Sequence, residues 1–133
     1  MKSVAIVGAG QMGSGIAQCM AMNNIEVTLI DYKESNIKRA SANIKKSLDK
    51  LVLKRKIDKE SVLKIHSNIV YTTSLEACSR KEKVIETIPE SLDKKENFIA
   101  KLSEIMRKDS ILGTNTSSLS ITKFSSFLMI LLE

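Results

Sequence analysis

Short apolar runs alternate along this chain with longer stretches in which apolar residues recur at helical spacing. Such runs are typical of strands that are buried on both faces of a parallel sheet. They predict five strands, at Val4–Val7, Glu26–Ile30, Asn68–Thr72, Lys83–Thr87 and Ser110–Thr114. The stretches between them predict helices from Gln11 to about Asn23, over Ile37–Leu51, from Asp58 to about Ile65 and over Leu92–Arg107. This alternation predicts an α/β fold with a doubly wound parallel sheet and right-handed crossovers.

The longest helical pattern lies between the second and third predicted strands. Its apolar positions are three or four residues apart, at Ile37, Ala40, Ile44, Leu48 and Leu51. They form one amphipathic stripe, and Asp58 is suitably positioned to cap a shorter helix after it. We therefore expect a long helical insertion after the second strand. No linker-like stretch divides the chain, so residues 1–133 are predicted to form a single domain.

A glycine-rich turn follows the first predicted strand and opens the first helix. It reads Gly-Ala-Gly-Gln-Met-Gly, the G-x-G-x-x-G pattern of dinucleotide-binding Rossmann folds. Gly8 permits the tight turn, Gly10 lets the backbone approach a pyrophosphate, and Gly13 allows close packing of the helix on the strand. N–H groups and the helix dipole favour phosphates at the helix start, where Gln11 and Met12 lie. These five residues are therefore predicted to bind a dinucleotide.

An acidic residue at the end of the second strand completes this pattern. Asp31 comes 18 residues after Gly13, and its carboxylate can accept hydrogen bonds from both hydroxyls of a cofactor ribose. Its charge would repel a 2′-phosphate, so NAD is favoured over NADP, although the nearby Lys33 softens this preference. The alternative interpretation is a glycine-rich turn without a ligand, in which Asp31 caps the following helix.

The charge balance narrows the class of partner. The chain has 133 residues and a net charge of +6, with 21 lysines and arginines against 15 acidic residues. A basic balance favours nucleic acid, anionic membranes or phosphate-bearing small molecules. Aromatic residues make up only 4% of the chain and do not interleave with the basic ones, which disfavours nucleic acid. The apolar run Phe127–Leu132 is too short to span a bilayer. Phosphorylated small molecules are therefore the expected partners.

Cysteine and histidine usage gives two further expectations. Cys19 and Cys78 lie far apart and show no metal-binding spacing, so both are predicted to be reduced thiols of a cytoplasmic protein. Cys19 is expected on a helix and Cys78 near a loop, and a structural disulfide is the alternative. His66 is the only histidine, so no metal site is predicted, and it is interpreted as a surface or helix-end residue.

Three stretches together identify a family. They are VAIVGAGQMGSGIAQ (Val4–Gln18), ETIPE (Glu86–Glu90) and GTNTSSLSIT (Gly113–Thr122). With them the chain resembles the short-chain 3-hydroxyacyl-CoA dehydrogenases, including the 3-hydroxybutyryl-CoA dehydrogenases, from about Lys2 to Thr122. The resemblance implies a Rossmann domain and NAD-dependent oxidation of the 3-hydroxyl of an acyl-CoA, or the reverse reduction of a 3-ketoacyl-CoA. It also implies a homodimer in full-length members, which is doubtful for this chain.

The resemblance also assigns roles to residues near the ends of the later strands. Ser117 matches the family serine that holds the substrate and takes part in catalysis, beside the nicotinamide. Glu90 and Lys95 match family positions that contact the cofactor. Ser117 can also be interpreted as a helix cap. Glu86 and Glu90 can be interpreted as an acid–base pair, but positioning and cofactor roles are preferred, because hydride transfer here calls for a single base.

On the long helix, Ser47 and Lys54 match family positions that contact coenzyme A. They are seven residues apart, so both lie on one helix face. Lys46 and Lys50 form a basic stripe with Lys54, at four-residue steps. The resemblance extends to Ser47 and Lys54 only, and the other two lysines are interpreted as a solvated face.

The resemblance stops after Thr122. Family members continue into a strand and a G-x-H-F-F-N-P motif that carries the catalytic histidine, followed by a helical dimerisation domain. These residues are not present, and His66 does not match that histidine by position. We therefore expect a truncated Rossmann domain, incomplete at its C-terminal end, that lacks dehydrogenase activity by itself and is prone to aggregation. The alternatives are a non-catalytic NAD-binding module or gene remnant, and a dehydrogenase of the 3-hydroxyisobutyrate type.

Overall fold

The structure is a computed structural model that describes residues 3–88, 100–107 and 109–114. Strands and helices alternate along these residues. The strands are β1 (Ser3–Val7), β2 (Glu26–Ile30), β3 (Ile69–Thr72), β4 (Lys83–Glu86) and β5 (Ile111–Thr114). The helices are α1 (Gln11–Met22), α2 (Glu34–Leu53) and α3 (Lys59–Ser67), with a 3-10 helix at Leu75–Arg80 and a helical segment at residues 100–105.

The described strands form one parallel sheet in the order β3-β2-β1-β4-β5. β1 lies in the middle and pairs with β2 along its whole length, from Ser3 opposite Glu26 to Val7 opposite Ile30. On its other side β1 pairs with β4, also in parallel, and β5 follows at that edge of the sheet. The strand order therefore reverses between β1 and β4, and ligands of doubly wound sheets bind beyond the carboxyl ends of the strands at this position.

Apolar side chains of β1 alternate between two helical layers. Val4 and Ile6 pack with the buried faces of α1, α2 and α3. Ala5 and Val7 face the other layer, where they pack with Cys78 of the 3-10 helix and Leu102 of the helical segment. Because both faces of the central strand β1 are covered, its residues Val4–Val7 are continuously apolar, as predicted.

The predicted insertion after the second strand is confirmed. It consists of α2, which has 20 residues, and α3. The buried residues of α2 are Ile37, Ala40, Ile44 and Leu48, and Leu51 at the end of the same stripe is half-buried. Asp58 caps α3, since its Oδ1 accepts the N–H of Ser61 at 2.8 Å.

The five predicted strands are confirmed within one residue at each end. The 3-10 helix was not predicted, because six residues are too few for a periodic pattern, and Cys78 lies within it. Cys19 lies on α1, and both cysteines are free thiols. The early part of the predicted helix Leu92–Arg107 and the chain from residue 115 onward lie outside the described residues. Within the described part of the chain, no helix is both long and apolar enough to cross a membrane.

Candidate dinucleotide-binding site

The glycine-rich turn lies at the carboxyl end of β1, between the ends of β2 and β4. Gly8 has a φ of +110°, a conformation that side chains rarely adopt. Its N–H donates to the carbonyl oxygen of Ile30 at 2.7 Å. A Cβ at Gly8 would lie only 2.5 Å from Oγ1 of Thr87. Glycine is therefore required at this position both for its conformation and for space.

Gly13 and Gly10 have opposite surroundings. A Cβ at Gly13 would overlap the carbonyl oxygen of Gly8, so the first turn of α1 packs directly on the loop. Around Gly10, by contrast, no described residue except its own chain neighbours comes within 4 Å of such a Cβ. The second glycine therefore borders open space and leaves the backbone approachable, as the dinucleotide pattern requires.

Four consecutive backbone N–H groups at the start of α1 find no acceptor among the described residues. They belong to Gly10, Gln11, Met12 and Gly13, whereas the next N–H, that of Ser14, donates to the carbonyl oxygen of Gly10 at 2.9 Å. The first turn of α1 carries no acidic residue, so no carboxylate there neutralises the positive end of the helix dipole. A pyrophosphate, which needs several N–H donors and a positive potential, fits this arrangement.

A cleft of about 690 Å³ opens over the loop, and we call it the cofactor cleft. The cofactor-binding residues predicted in the described part of the chain all line it, namely Gly8, Gly10, Gln11, Met12, Gly13 and Asp31. Its lining also includes Tyr32, Leu75 and Ile88. Backbone N–H donors of the loop, together with apolar side chains elsewhere in the lining, suit a ligand that combines phosphates with a flat base.

The carboxylate of Asp31 is buried, with 8% of the residue exposed, and is already engaged in the protein. Its Oδ2 accepts the N–H of Ala9 at 3.0 Å, so it ties the end of β2 to the phosphate loop. Its Oδ1 accepts the N–H of Lys33 at 3.0 Å and the side-chain amide of Asn36 at 3.1 Å. A carboxylate offers about four acceptor positions. The three bonds leave acceptor capacity on the carboxylate, and the expected bonds from the ribose hydroxyls stay a prediction.

The alternative role of Asp31 as the cap of α2 is wrong in detail. The N-cap of α2 is Lys33, which makes no side-chain capping bond. The ammonium group of Lys33 lies over the ring of Tyr32, 5.6 Å from its centroid. Tyr32 itself is 81% exposed although it lines the cofactor cleft. Both residues that follow Asp31 are therefore close to where a ribose bound by Asp31 would lie.

A second cleft, of about 720 Å³, separates α1 from α2, and we call it the interhelix cleft. Seven of its ten lining residues are polar, and they include Gln18 of α1 and Arg39, Asn43 and Ser47 of α2. Ser47 Oγ accepts the side-chain amide of Gln18 at 3.0 Å, which joins the two helices. Gly10, Gln11 and Asn36 line both clefts. The structure thus brings Ser47 close to the phosphate loop, whereas the exposed Lys54 forms the C-cap of α2 and does not line this cleft.

Glu86 and Thr87 lie at the end of β4 beside the glycine turn, and of the two Thr87 was not assigned a role from the sequence. Thr87 lines the cofactor cleft, and its Oγ1 lies 3.1 Å from the carbonyl oxygens of both Val7 and Gly8. Glu86 is fully buried, and its Oε1 accepts the N–H of Ile88. This contact agrees with a positioning role for Glu86. For Thr87, the signals in the sequence were its place at the end of a predicted strand and within the ETIPE stretch.

The remaining predicted residues divide into two groups. Glu90, Lys95 and Ser117 lie outside the described residues, so their roles stay predictions. His66 lies in the last turn of α3 and lines neither cleft.

Burial raises the pKa of the Cys78 thiol to about 11, with a small opposing effect of Lys81. Cys78 is therefore a core residue and not a nucleophile.

Comparison with known proteins identifies the family. The family model of the 3-hydroxyacyl-CoA dehydrogenase NAD-binding domain matches residues 3–129. The 3-hydroxybutyryl-CoA dehydrogenase of Clostridioides difficile is 37% identical over 123 residues, which are 92% of this chain and 44% of that protein. The 3-hydroxyadipyl-CoA dehydrogenase of Escherichia coli K12 is 32% identical over 126 residues, which are 95% of this chain and 26% of that protein.

Solved structures give the same result. The crystal structure of (S)-3-hydroxybutyryl-CoA dehydrogenase from Ralstonia eutropha superposes with a TM-score of 0.86 at 32% identity. The match covers 95% of this chain and 44% of that one, so this chain spans less than half the length of these relatives. Because the family model matches residues 3–129, the chain belongs to the 3-hydroxyacyl-CoA dehydrogenase family, and the part of the family that it matches is the NAD-binding domain.

Proposed function

We propose that this chain is the cofactor-binding part of an enzyme that oxidises the 3-hydroxyl of a 3-hydroxyacyl-CoA with NAD, or reduces the 3-ketoacyl-CoA in the reverse direction. One observation carries this proposal. Four N–H groups without an acceptor in the described chain line one cleft together with the buried carboxylate of Asp31. The family supplies NAD as the cofactor, and the names of the relatives supply the class of substrate.

The interhelix cleft is the proposed path of the coenzyme A arm. It adjoins the phosphate loop through Gly10, Gln11 and Asn36, so a ligand there would lie next to the dinucleotide. Its amide and hydroxyl groups match the amides of a pantetheine arm, and Arg39 at its rim can pair with a phosphate. Ser47 is the cleft residue for which the family resemblance implies a contact with coenzyme A, and Lys54 extends that contact along α2.

The reaction moves a hydride from C3 of the substrate to the nicotinamide and a proton from the 3-hydroxyl to a base. His66 is the only histidine of the chain, and it lines neither cleft. We therefore expect the base to come from a part of the enzyme beyond these 133 residues, with Ser117 holding the substrate. By itself the chain is expected to bind NAD without turnover.

A crossed titration tests both halves of the proposal. NADH, NADPH and coenzyme A are titrated separately by calorimetry against the wild-type chain and against Asp31→Ala and Arg39→Gln. Asp31→Ala removes a charged hydrogen-bond acceptor, so NADH affinity should fall about tenfold or more and the gap to NADPH should narrow. Arg39→Gln should weaken coenzyme A severalfold and leave NADH unchanged. Lys45→Gln, an exposed cation of the same helix outside the interhelix cleft, is the matched control.

Each outcome of this titration has a separate meaning. NADH binding that depends on Asp31, together with coenzyme A binding that depends on Arg39, supports the whole proposal. NADH binding without coenzyme A binding would favour the alternative of a non-catalytic NAD-binding module. An unchanged preference between NADH and NADPH in Asp31→Ala would show that Asp31 does not contact the ribose of the cofactor.

A further inference from the structure

The residue that follows β4 makes unusual contacts with the phosphate loop. The backbone N–H of Thr87 donates to the carbonyl oxygen of Val7 at 2.8 Å and so extends the pairing of β4 with β1 by one step. Its side-chain Oγ1 lies 3.1 Å from the same carbonyl and 3.1 Å from that of Gly8. One hydroxyl therefore lies between the end of β1 and the first residue of the loop.

The two carbonyl groups depend on this hydroxyl to different degrees. Val7 O already accepts the backbone N–H of Thr87. Gly8 O has no other donor among the described residues. A hydroxyl has a single proton, and a carbonyl group that loses its donor inside the protein is left with an unfavourable, unsatisfied acceptor. Gly8 O is therefore the group whose hydrogen bonding depends on Thr87.

The Oγ1 atom of Thr87 also fills the space that two glycines of the loop leave. A Cβ on Gly8 would meet it at 2.5 Å and a Cβ on Gly13 would meet it at 2.9 Å. The hydroxyl oxygen thus occupies the space that a side chain would need at both the first and the last glycine of the turn. Between these two residues lie three of the N–H donors that have no acceptor in the described chain.

We propose that the Thr87 hydroxyl is the positioning group of the phosphate loop, which holds the Gly8 carbonyl and keeps the N–H groups of Gly10 to Gly13 arranged for a pyrophosphate. This inference rests on the proposed binding of NAD to that loop. Thr87 acts through the loop backbone, and it donates its proton to Gly8 O rather than to the cofactor. Its contribution should therefore be felt by ligands that carry phosphates and not by ligands that lack them.

Two variants that differ by one oxygen atom test this assignment. Thr87→Ser keeps the hydroxyl and loses the methyl group, whereas Thr87→Ala loses both. We expect Thr87→Ala to bind ADP-ribose about tenfold more weakly, which corresponds to the loss of one hydrogen bond. Adenosine, which has no phosphate, should bind within about twofold of wild type to both variants. Thr87→Ser should bind both ligands as wild type does.

Two results would overturn the proposal. One is an equal loss of ADP-ribose affinity in Thr87→Ser and Thr87→Ala, because the hydroxyl would then be irrelevant. The other is an equal loss for adenosine and ADP-ribose, because the effect would then be a general loss of fold.

A second measurement needs no ligand and separates this proposal from the proposed function. In the ligand-free protein the N–H groups of Gly8 and Ala9 are bonded to Ile30 O and Asp31 Oδ2. Thr87→Ala should speed hydrogen exchange at these two amides about tenfold and leave the amide of Ile6, inside β1, unchanged. Failure of the wild-type chain to bind ADP-ribose would count against the proposed function alone. Unchanged exchange at Gly8 and Ala9 in Thr87→Ala would count against the role of Thr87.

Discussion

Gly13 and Gly15 lie two residues apart on α1 and meet opposite surroundings. A Cβ at Gly13 would overlap the carbonyl oxygen of Gly8. This oxygen belongs to the backbone of the loop, so it cannot move aside without opening the loop. Among the described residues, none beyond the helix and chain neighbours of Gly15 comes within 4 Å of a Cβ built there. The two glycines therefore have different reasons to be present, although they look alike in the sequence.

Alanine substitutions at these two positions should change stability in opposite directions. Gly13→Ala forces the helix away from the loop, and we expect it to lower the free energy of unfolding by about 1–3 kcal/mol and to weaken NADH binding. Gly15→Ala, on an exposed helix face, should raise the free energy of unfolding by roughly 0.5–1 kcal/mol, because alanine loses less backbone entropy than glycine. Urea unfolding of the two variants and of wild type measures both. Equal effects of the two substitutions would contradict the packing argument.

The residues of the site differ in how far the sequence could predict them. The loop glycines and Asp31 were predicted because few residue types satisfy a tight turn, a close approach and a ribose contact. The bonding of Asp31 to Ala9, Lys33 and Asn36 was not foreseen, because hydrogen bonds of a buried carboxylate depend on where the loop lies. Thr87 was missed because its partners are 79 and 80 residues earlier in the chain.

At the scale of single elements, the helical insertion shows what periodicity predicts and what it misses. α2 was predicted from its stripe of apolar residues, and these are the residues that it buries. α3 is only nine residues long, and its start was predicted from the capping residue Asp58 rather than from periodicity. The 3-10 helix at Leu75–Arg80 has neither a long stripe nor a side-chain cap, so nothing local predicted it.

The cap of α3 makes its stability depend on pH. Hydrogen bonds from the side chain and backbone of Ser61 lower the pKa of Asp58. A lowered pKa in the folded state stabilises the fold above the unfolded pKa of about 4. This contribution is lost as the pH falls through the folded value. Asp58→Ala should therefore lower the Tm at pH 7, and the difference from wild type should shrink at about pH 2.

Asp58→Asn is the control for this prediction. Asparagine keeps a side-chain oxygen that can accept the N–H of Ser61, so it should retain most of the stability at pH 7. It has no titrating carboxyl group, so its Tm should lack the acid-dependent loss that this position contributes. A difference between wild type and Asp58→Ala that stays constant from pH 7 to about pH 2 would show that the carboxylate of Asp58 does not stabilise α3.

At the scale of the whole molecule, the sheet separates two apolar layers. The sequence predicted that both faces of the sheet are buried, but not which residues belong to which layer. Alternate residues of β1 contribute to the two layers, and strand order decides which helices cover each face. The apolar runs predicted a sheet buried on both sides, whereas the assignment of Cys78 and Leu102 to one layer depends on the crossovers. The single-domain organisation, the dimer and the cytoplasmic location stay predictions.

The two cysteines report on whether this fold holds together in the isolated chain. Cys19 is exposed, whereas Cys78 is fully buried, and burial raises its pKa to about 11. At pH 8 Cys78 should therefore react with a disulfide reagent at least about a hundredfold more slowly than an exposed thiol. We expect one fast-reacting thiol per native chain and two in guanidinium chloride. Cys19→Ser should abolish the fast phase, and rapid labelling of Cys78 in that variant would show that its layer opens readily.

The central position of β1 also has a consequence for the order in which the chain is made. β1 gains its first neighbour once β2 exists, at residues 26–30, but its other edge stays open until residues 83–86 have been synthesised. During that interval an apolar strand presents unpaired backbone groups and the glycine turn has no Thr87 against it. A nascent chain interrupted before β4 would thus expose an unpaired strand edge, and its phosphate loop would lack the proposed positioning hydroxyl of Thr87. We therefore expect the cofactor to assist folding most once β4 has emerged.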